Sequence, residues 1–252
     1  MQNERFLGKT ALVTGAARRI GRQIAIALAK AGTNVVIHYR RSAEEAESLR
    51  TELIQLGVKA WLVRADFENL EINTLFKDAV QYAGSIDFLV NNASSFVPRT
   101  VEDIEFTQLM RDLQVNAWSP FALSREFARH FGQGKIVNLL DTRVLGYDRS
   151  HMAYILSKKL LLAFTEIMAI EFAPRVTVNA VAPGLILPPE GKDEGYLDKL
   201  APGIPLEKHG GSGDVSDAVL YLLGSGFVTG QVLYVDGGRH LKELSYGPHH
   251  NQ

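Results

Sequence analysis

Apolar runs and amphipathic stretches alternate along this chain from end to end, and no other property narrows its fold as much. Lys9 to Val13, Asn34 to Tyr39, Lys59 to Ala65, Ile86 to Val90, Lys135 to Leu140, Val176 to Val181 and Val232 to Val235 read as strands. Between them lie stretches with helical spacing: Ile20 to Ala31, Ala43 to Leu56, Leu70 to Ala83, Ile104 to Phe131, Leu160 to Phe172 and Val215 to Leu223. The strands are continuous apolar runs, as expected where both faces of a sheet are covered. The pattern predicts an α/β fold: a doubly wound, Rossmann-type parallel sheet with helices on both faces and right-handed crossovers. No linker or repeat interrupts the 252 residues, so residues 1–252 read as a single domain.

Between the first strand and the first helix runs Thr14-Gly15-Ala16-Ala17-Arg18-Arg19-Ile20-Gly21. Glycine there lets backbone approach a pyrophosphate, and the helix N-terminus offers N–H groups and the positive end of its dipole. A tight turn without ligand is the plain alternative. The second strand ends in His38-Tyr39-Arg40-Arg41-Ser42. A carboxylate at that point would hold a ribose 2′-hydroxyl, whereas guanidinium groups and a hydroxyl suit a 2′-phosphate, so NADPH/NADP+ is the expected cofactor. Asp66, after the third strand, reads either as an acceptor for an adenine amino group or as a helix N-cap.

Tyr154 and Lys158 lie four residues apart in a helical stretch and so share a face. An ammonium beside a phenol lowers the phenol's pKa, which would make the pair an acid or base usable near neutral pH. By itself Tyr-x-x-x-Lys is a weak signal, since a surface lysine beside a half-buried tyrosine is common.

Taken together, Thr14-Gly15…Gly21, Asn91-Asn92-Ala93, Asn116, Tyr154…Lys158, Pro183-Gly184 and Asp236-Gly237-Gly238 resemble the short-chain dehydrogenase/reductase family over essentially the whole chain. The resemblance implies a nicotinamide cofactor across the carboxyl ends of the strands, Tyr154 as proton donor, Lys158 at the nicotinamide ribose, and Asn116 helping to hold a proton-relaying water. It places the cofactor against Gly15, Arg19, Ile20, Gly21, His38, Tyr39, Arg40, Arg41, Ser42, Asp66, Phe67, Asn92, Ala93, Ser94, Pro183 and Gly184.

Two positions depart from the general pattern. Arg19 stands where the family has its middle glycine, and Asp141 stands thirteen residues before Tyr154, where a serine is usual. A carboxylate repels a substrate carbonyl oxygen unless protonated, but it accepts from N–H groups on a heterocycle. Both departures, with Asn91-Asn92-Ala93-Ser94-Ser95-Phe96 and His38-Tyr39-x-Arg41-Ser42, are similar to the pteridine reductase branch, including bacterial dihydromonapterin and dihydrofolate reductases. That branch implies a pterin or folate substrate stacked on Phe96 and touched by Arg19, Ser94, Asp141, Tyr154 and Leu185, with Asp141 and Tyr154 delivering a proton. On the residues alone, Phe96 also reads as loop packing, Asp141 as a turn residue, and Arg19 as a surface helix residue. A 3-oxoacyl-thioester or other carbonyl reductase is the nearest rival, and a cofactor-binding protein without catalysis the second.

The loop 185–210, rich in proline and glycine just past a strand end, is expected to close over substrate and set its choice. The family resemblance implies a homotetramer, and the tail from Leu241 to Gln252, with Tyr246, His249 and His250, reads as a reach to a neighbouring subunit or as disorder. A net charge of −1 offers no basic field for nucleic acid. With no cysteine, thiolate metal sites, disulfides and cysteine nucleophiles are excluded, and no metal is expected. No apolar run spans a bilayer, and no signal core opens the chain, so a cytoplasmic protein is expected.

Overall fold

The computed structural model describes residues 3–189, 191–193 and 195–242. Tyr246, His249 and His250, and with them most of the C-terminal tail, lie outside the described residues, as do Glu190 and Glu194 of the 185–210 loop. The chain runs β1 (Thr10–Val13), α1 (Arg19–Lys30), β2 (Asn34–Tyr39), α2 (Ala43–Gln55), β3 (Ala60–Arg64), α3 (Ile72–Ala83) and β4 (Phe88–Asn91). It continues through α4 (Phe106–Leu113), α5 (Ser119–Phe131), β5 (Gly134–Leu139), α6 (Met152–Glu171), β6 (Val176–Pro183), α7 (Gly195–Leu200), α8 (Ser212–Gly224), β7 (Val232–Val235) and α9 (Arg239–Lys242).

Among the described residues, seven strands form one parallel sheet in the order β3-β2-β1-β4-β5-β6-β7. Successive side chains of a strand point to opposite faces, and here both faces are buried. Ala11 and Val13 of β1, Val35 and Ile37 of β2, and Phe88 and Val90 of β4 pack with Ile24 and Leu28 of α1, Leu49 of α2 and Val219 of α8. Leu12, Val36 and Leu89, from the same strands, pack on the other side with Leu75 of α3, Leu123 and Phe127 of α5 and Met168 of α6. The apolar runs are continuous because each alternate residue has its own layer of helices to meet.

The observed boundaries differ from the sequence expectations in three informative places. The stretch from Ile104 to Phe131 is not one helix. A π-helical turn, Gln114–Trp118, joins α4 to α5 and carries Asn116. Leu70, expected to open α3, instead has φ of 56° as the cap of a short 3-10 turn over Phe67–Asn69, so α3 begins at Ile72. The 185–210 loop contains α7, which its prolines and glycines concealed. Its ends are tied together, since Gly210 N–H donates to Leu185 O at 3.0 Å.

After β3 the chain crosses to the other side of β1 to form β4, so the strand order reverses between β1 and β4. In open parallel sheets this reversal leaves a crevice beyond the carboxyl ends of the strands. Thr14, Asn91 and Asp141 follow or end β1, β4 and β5 at that edge. No described helix is long and apolar enough to cross a membrane.

Phe127 is 1% exposed and is among the largest fully buried side chains. Phe127→Ala is expected to reduce unfolding free energy by about 3–5 kcal/mol. Urea denaturation followed by circular dichroism measures this as a lower midpoint at unchanged slope.

Candidate active site

The glycine turn is built from three strands' worth of hydrogen bonds. Gly15 has φ of +62°, in the left-handed region that favours glycine. A Cβ on Gly15 would lie 2.9 Å from Ala93 Cα, and one on Gly21 would lie 2.3 Å from Gly15 O. The turn, the start of α1 and the end of β4 are therefore in contact with no room for side chains. Asn92 Nδ2 donates to Thr14 O at 2.9 Å and Gly15 O at 3.1 Å, and Thr14 Oγ1 accepts from Asn92 N and Ala93 N. Gly15 N–H donates to His38 Nδ1 at 3.1 Å. The side chain of Arg18, the N-cap residue of α1, makes no capping hydrogen bond to the helix's first-turn N–H groups. These features fit a nucleotide pyrophosphate: bare backbone, a helix N-terminus, and no side chain in the way.

Several residues expected at the cofactor lie beneath the cradle instead. His38 is fully buried, with Nδ1 accepting from Gly15 and Nε2 donating to Ala65 O at 3.2 Å, and it stacks on Phe67 at 4.8 Å. Both ring nitrogens are engaged, so His38 and Phe67 shape the turn from below and present no polar atom to a ligand. Burial lowers the His38 pKa from its usual 6.5 to about 4, against weaker upward pulls from the Ala65 carbonyl and Asp66. Tyr39 and Ile20 are half-buried against the core layer that holds α1 and α2. Arg40 is turned onto carboxylates, with Nε 3.0 Å from Asp66 Oδ2 and Nη1 2.5 Å from Glu68 Oε1. Asp66 also caps its 3-10 turn by accepting from Glu68 N at 3.0 Å. That leaves Arg41, exposed and without an ion pair among the described residues, and Ser42 as the groups at the end of β2 available to a 2′-phosphate.

The residues expected to carry the chemistry meet where β5, α6 and the segment after β4 come together. Tyr154 and Lys158 are 7% and 2% exposed on the inner face of α6. Tyr154 OH donates to Asp141 Oδ2 at 3.1 Å. Lys158 Nζ donates to Leu139 O at 2.7 Å and stands 5.7 Å from the Tyr154 ring centroid. Phe96 meets Tyr154 edge-on, with centroids 4.7 Å apart, and lies face to face with His151 at 4.1 Å. A short parallel bridge between Arg99 and His151 aligns these two segments, with Arg99 N donating to Ser150 O and Met152 N to Arg99 O. Asn116 has its side chain fully engaged: Oδ1 accepts from Ser94 Oγ and Ser95 N, and Nδ2 donates to Ser95 O and Ser157 Oγ. It therefore positions the Ser94–Phe96 segment against α6, a role the expectation of a water-holding residue did not include.

Arg143 is the group that sequence reasoning missed. Its Nε and Nη2 donate to Asp141 Oδ1 and Oδ2 at 2.9 and 2.8 Å, and its Nη1 donates to Asp148. Its guanidinium carbon lies 5.2 Å from the Phe96 centroid and 5.6 Å from that of Tyr154. Asp148 in turn pairs with His151 Nδ1 at 3.1 Å. Thr142–Leu145 is a 3-10 turn that Asp141 caps by accepting from Arg143 N–H. An acid two residues before an arginine at a strand end was the available signal.

Burial alone would raise the Asp141 pKa, but the Arg143 hydrogen bonds and charge outweigh it and bring it below the usual carboxylate range. Asp141 is therefore ionised. Burial first, and then the Asp141 charge, push Tyr154 well above the ordinary phenol value. This corrects the expectation from the Tyr-x-x-x-Lys spacing. Burial, and after it the Asp141 charge, favour the protonated phenol. Lys158 itself is lowered by burial to about 8, with Asp141 pulling the other way.

Arg19, with φ of 55°, takes a left-handed conformation at a position where glycine would sit without strain. Its Nη2 donates to Pro188 O at 2.7 Å, linking the glycine turn to the 185–210 loop. Pro183 ends β6, and Gly184 packs so closely on Asp236 that a Cβ would lie 2.5 Å from the Asp236 Cβ. Leu185 is the hydrogen-bonded base of the loop.

Comparison with known proteins agrees with this architecture. The family model described as enoyl-(acyl carrier protein) reductase matches residues 15–240. The chain belongs to that family, within the short-chain dehydrogenases/reductases. The crystal structure of FolM alternative dihydrofolate reductase 1 from Brucella canis, complexed with NADP, is similar with a TM-score of 0.89 and 33% identity, covering 98% of this chain and 99% of that one. Among curated relatives, an oxidoreductase of Bacillus subtilis, YhxC, is 33% identical over 92% of this chain and 84% of its own. The 3-oxoacyl-[acyl-carrier-protein] reductase FabG of Staphylococcus epidermidis is 30% identical over 93% of this chain and 100% of its own.

The buried His38 gives a pH dependence with a definite sign. Its folded pKa of about 4 lies below its unfolded value of 6.5, so the unfolded state binds the proton first as pH falls. Its stabilising share is complete above pH 6.5 and is lost as pH falls through about 4. The loss amounts to about 3 kcal/mol at most. Imidazole NMR is expected to show His38 titrating near the lower value, and His38→Gln to flatten the unfolding free energy between these pH values.

Proposed function

We propose that this protein is an NADPH-dependent reductase of a pterin ring, converting a dihydropterin to a tetrahydropterin, with folates as related substrates. The observation that carries the reading is the Tyr154 hydroxyl donating to an ionised Asp141 at 3.1 Å beside the half-exposed ring of Phe96. The similarity to a FolM alternative dihydrofolate reductase supports it, as does the NADP bound in that structure.

When bound, NADPH supplies the hydride, which adds to the imine carbon of the ring. Gly15, Gly21 and the first turn of α1 would hold its pyrophosphate, Arg41 and Ser42 its 2′-phosphate, and Ala93, Ser94, Pro183 and Gly184 would line its site. Phe96 holds the flat ring. The adjoining ring nitrogen gains a proton as the carbon gains hydride, and Tyr154 gives it from its hydroxyl. Burial and Asp141 keep that hydroxyl protonated until then, and Lys158 balances the phenolate left behind. Placing the reacting atoms in contact contributes much of the rate. The 185–210 loop sets substrate choice.

A carbonyl reductase, the class of the FabG relative, would form an alkoxide beside the same tyrosine. The ionised Asp141 repels that developing charge, which disfavours this second reading. The exposed Phe106 and Met110 on α4 and Ile167 and Ile170 on α6 fit helix faces covered by a neighbouring subunit, in keeping with a homotetramer.

Tyr154→Phe is expected to lower kcat for a dihydropterin by ~10²–10⁴-fold, the usual contribution of a general acid. Arg41→Ala is expected to raise the KM for NADPH by about 10-fold or more, the worth of a charged hydrogen bond, while leaving that for NADH unchanged. Steady-state NADPH oxidation measures both. A wild-type protein that reduces acetoacetyl thioesters and no pterin would contradict the substrate assignment, and equal effects on both cofactors would contradict the 2′-phosphate site.

A further inference from the structure

Arg143 lies where the substrate of the proposed reaction would have to sit. The Asp141 carboxylate receives four donors: Arg143 N and Nε at 2.9 Å each on Oδ1, and Arg143 Nη2 at 2.8 Å and Tyr154 OH at 3.1 Å on Oδ2. A carboxylate has about four lone-pair sites. All are taken in this arrangement, so Asp141 can accept nothing from a heterocycle until a donor leaves. The guanidinium is the donor placed to leave. It is a planar group with two parallel N–H bonds, and it lies against the rings of Phe96 and Tyr154. The 2-amino-4-oxopyrimidine edge of a pterin has the same chemistry: a flat acylguanidine with a ring N–H and an amino N–H side by side.

An alternative seat for the cation is already built. Arg143 Nη1 donates to Asp148. Asp148 is fixed by accepting from Ser150 N at 2.9 Å and His151 N at 3.0 Å on Oδ1, with His151 Nδ1 3.1 Å from Oδ2. The Arg143 side chain is 23% exposed, which leaves it space to turn outward while keeping that bond. Asp141 would then retain Arg143 N–H and Tyr154 OH and present two free lone pairs.

We propose that the Arg143 guanidinium is an internal occupant of the substrate seat, displaced onto Asp148 by planar heterocycles that carry a guanidine-like pair of N–H donors. The inference rests on the pterin reading and deepens it. Arg143 acts as a specificity-determining residue. Rings lacking that donor pair leave it in place, and carbonyl substrates have no means of displacing it.

The test measures binding to the NADP+ complex by calorimetry at pH 8, with pterin and methylguanidine as separate probes. Arg143→Ala is expected to bind pterin at least about fivefold more tightly than wild type, since removing an internal competitor raises the fraction of protein able to bind. The same variant is expected to bind methylguanidine in competition with pterin, whereas wild type binds none. Asp148→Asn keeps Arg143 and removes its second seat, and is expected to bind pterin more weakly than wild type. Thermal unfolding of each variant reports whether it is folded. Weaker pterin binding by Arg143→Ala that methylguanidine restores would overturn the proposal, because Arg143 would then hold substrate and not its place. Unchanged or tighter pterin binding by Asp148→Asn would overturn it too. If methylguanidine binds Arg143→Ala alone while pterin binds neither protein, the occupied seat stands and the pterin reading falls.

Discussion

An ionised carboxylate buried beside a phenol sets the chemistry of this site. Asp141 is 16% exposed in its side chain, and burying such a charge without a partner costs several kcal/mol. Arg143 offsets that cost with a bidentate contact and so fixes the charge of the whole cluster. Burial, and with it the negative Asp141, then holds Tyr154 protonated. In a site built around a serine hydroxyl, the same tyrosine would face a carbonyl oxygen. Here it faces a carboxylate acceptor.

The sheet delivers these groups to one place. β1, β4, β5 and β6 lie side by side, and their carboxyl ends supply the glycine turn, the Asn92–Phe96 segment, Asp141 and Pro183-Gly184. The supports are mostly polar side chains bonded to backbone. Asn92 and His38 hold the glycine turn, Asn116 holds the Ser94–Phe96 segment against α6, and Thr142 donates to Asp236 at the base of the C-terminal segment. Each fixes a loop at the carboxyl edge of the sheet.

Much of this was legible in the sequence, because periodicity reports burial directly. Val13 and Leu12 face opposite layers, and an apolar run with no polar break means just that. Gly15, Gly21 and Gly184 were legible because only glycine leaves the room that neighbouring backbone occupies. What was hidden depends on which of several partners a side chain chooses. Arg40 and Arg41 are the same residue type one step apart, yet one turns to Asp66 and Glu68 and the other to solvent. His38 looked like a ligand group and is a buried strut. The Tyr154–Lys158 spacing placed both on one face, but their electrostatic order depends on Arg143, which helical spacing does not connect to them.

The protonation state of Tyr154 tests this account most directly. An ultraviolet difference titration of wild type against Tyr154→Phe reads the phenolate band of that residue alone. No phenolate from Tyr154 is expected up to the ordinary tyrosine range and beyond, because burial and Asp141 both hold the proton. A phenolate appearing near neutral pH would show that the ammonium of Lys158 governs the tyrosine, and would contradict the assignment of Asp141 as the charge that sets the site.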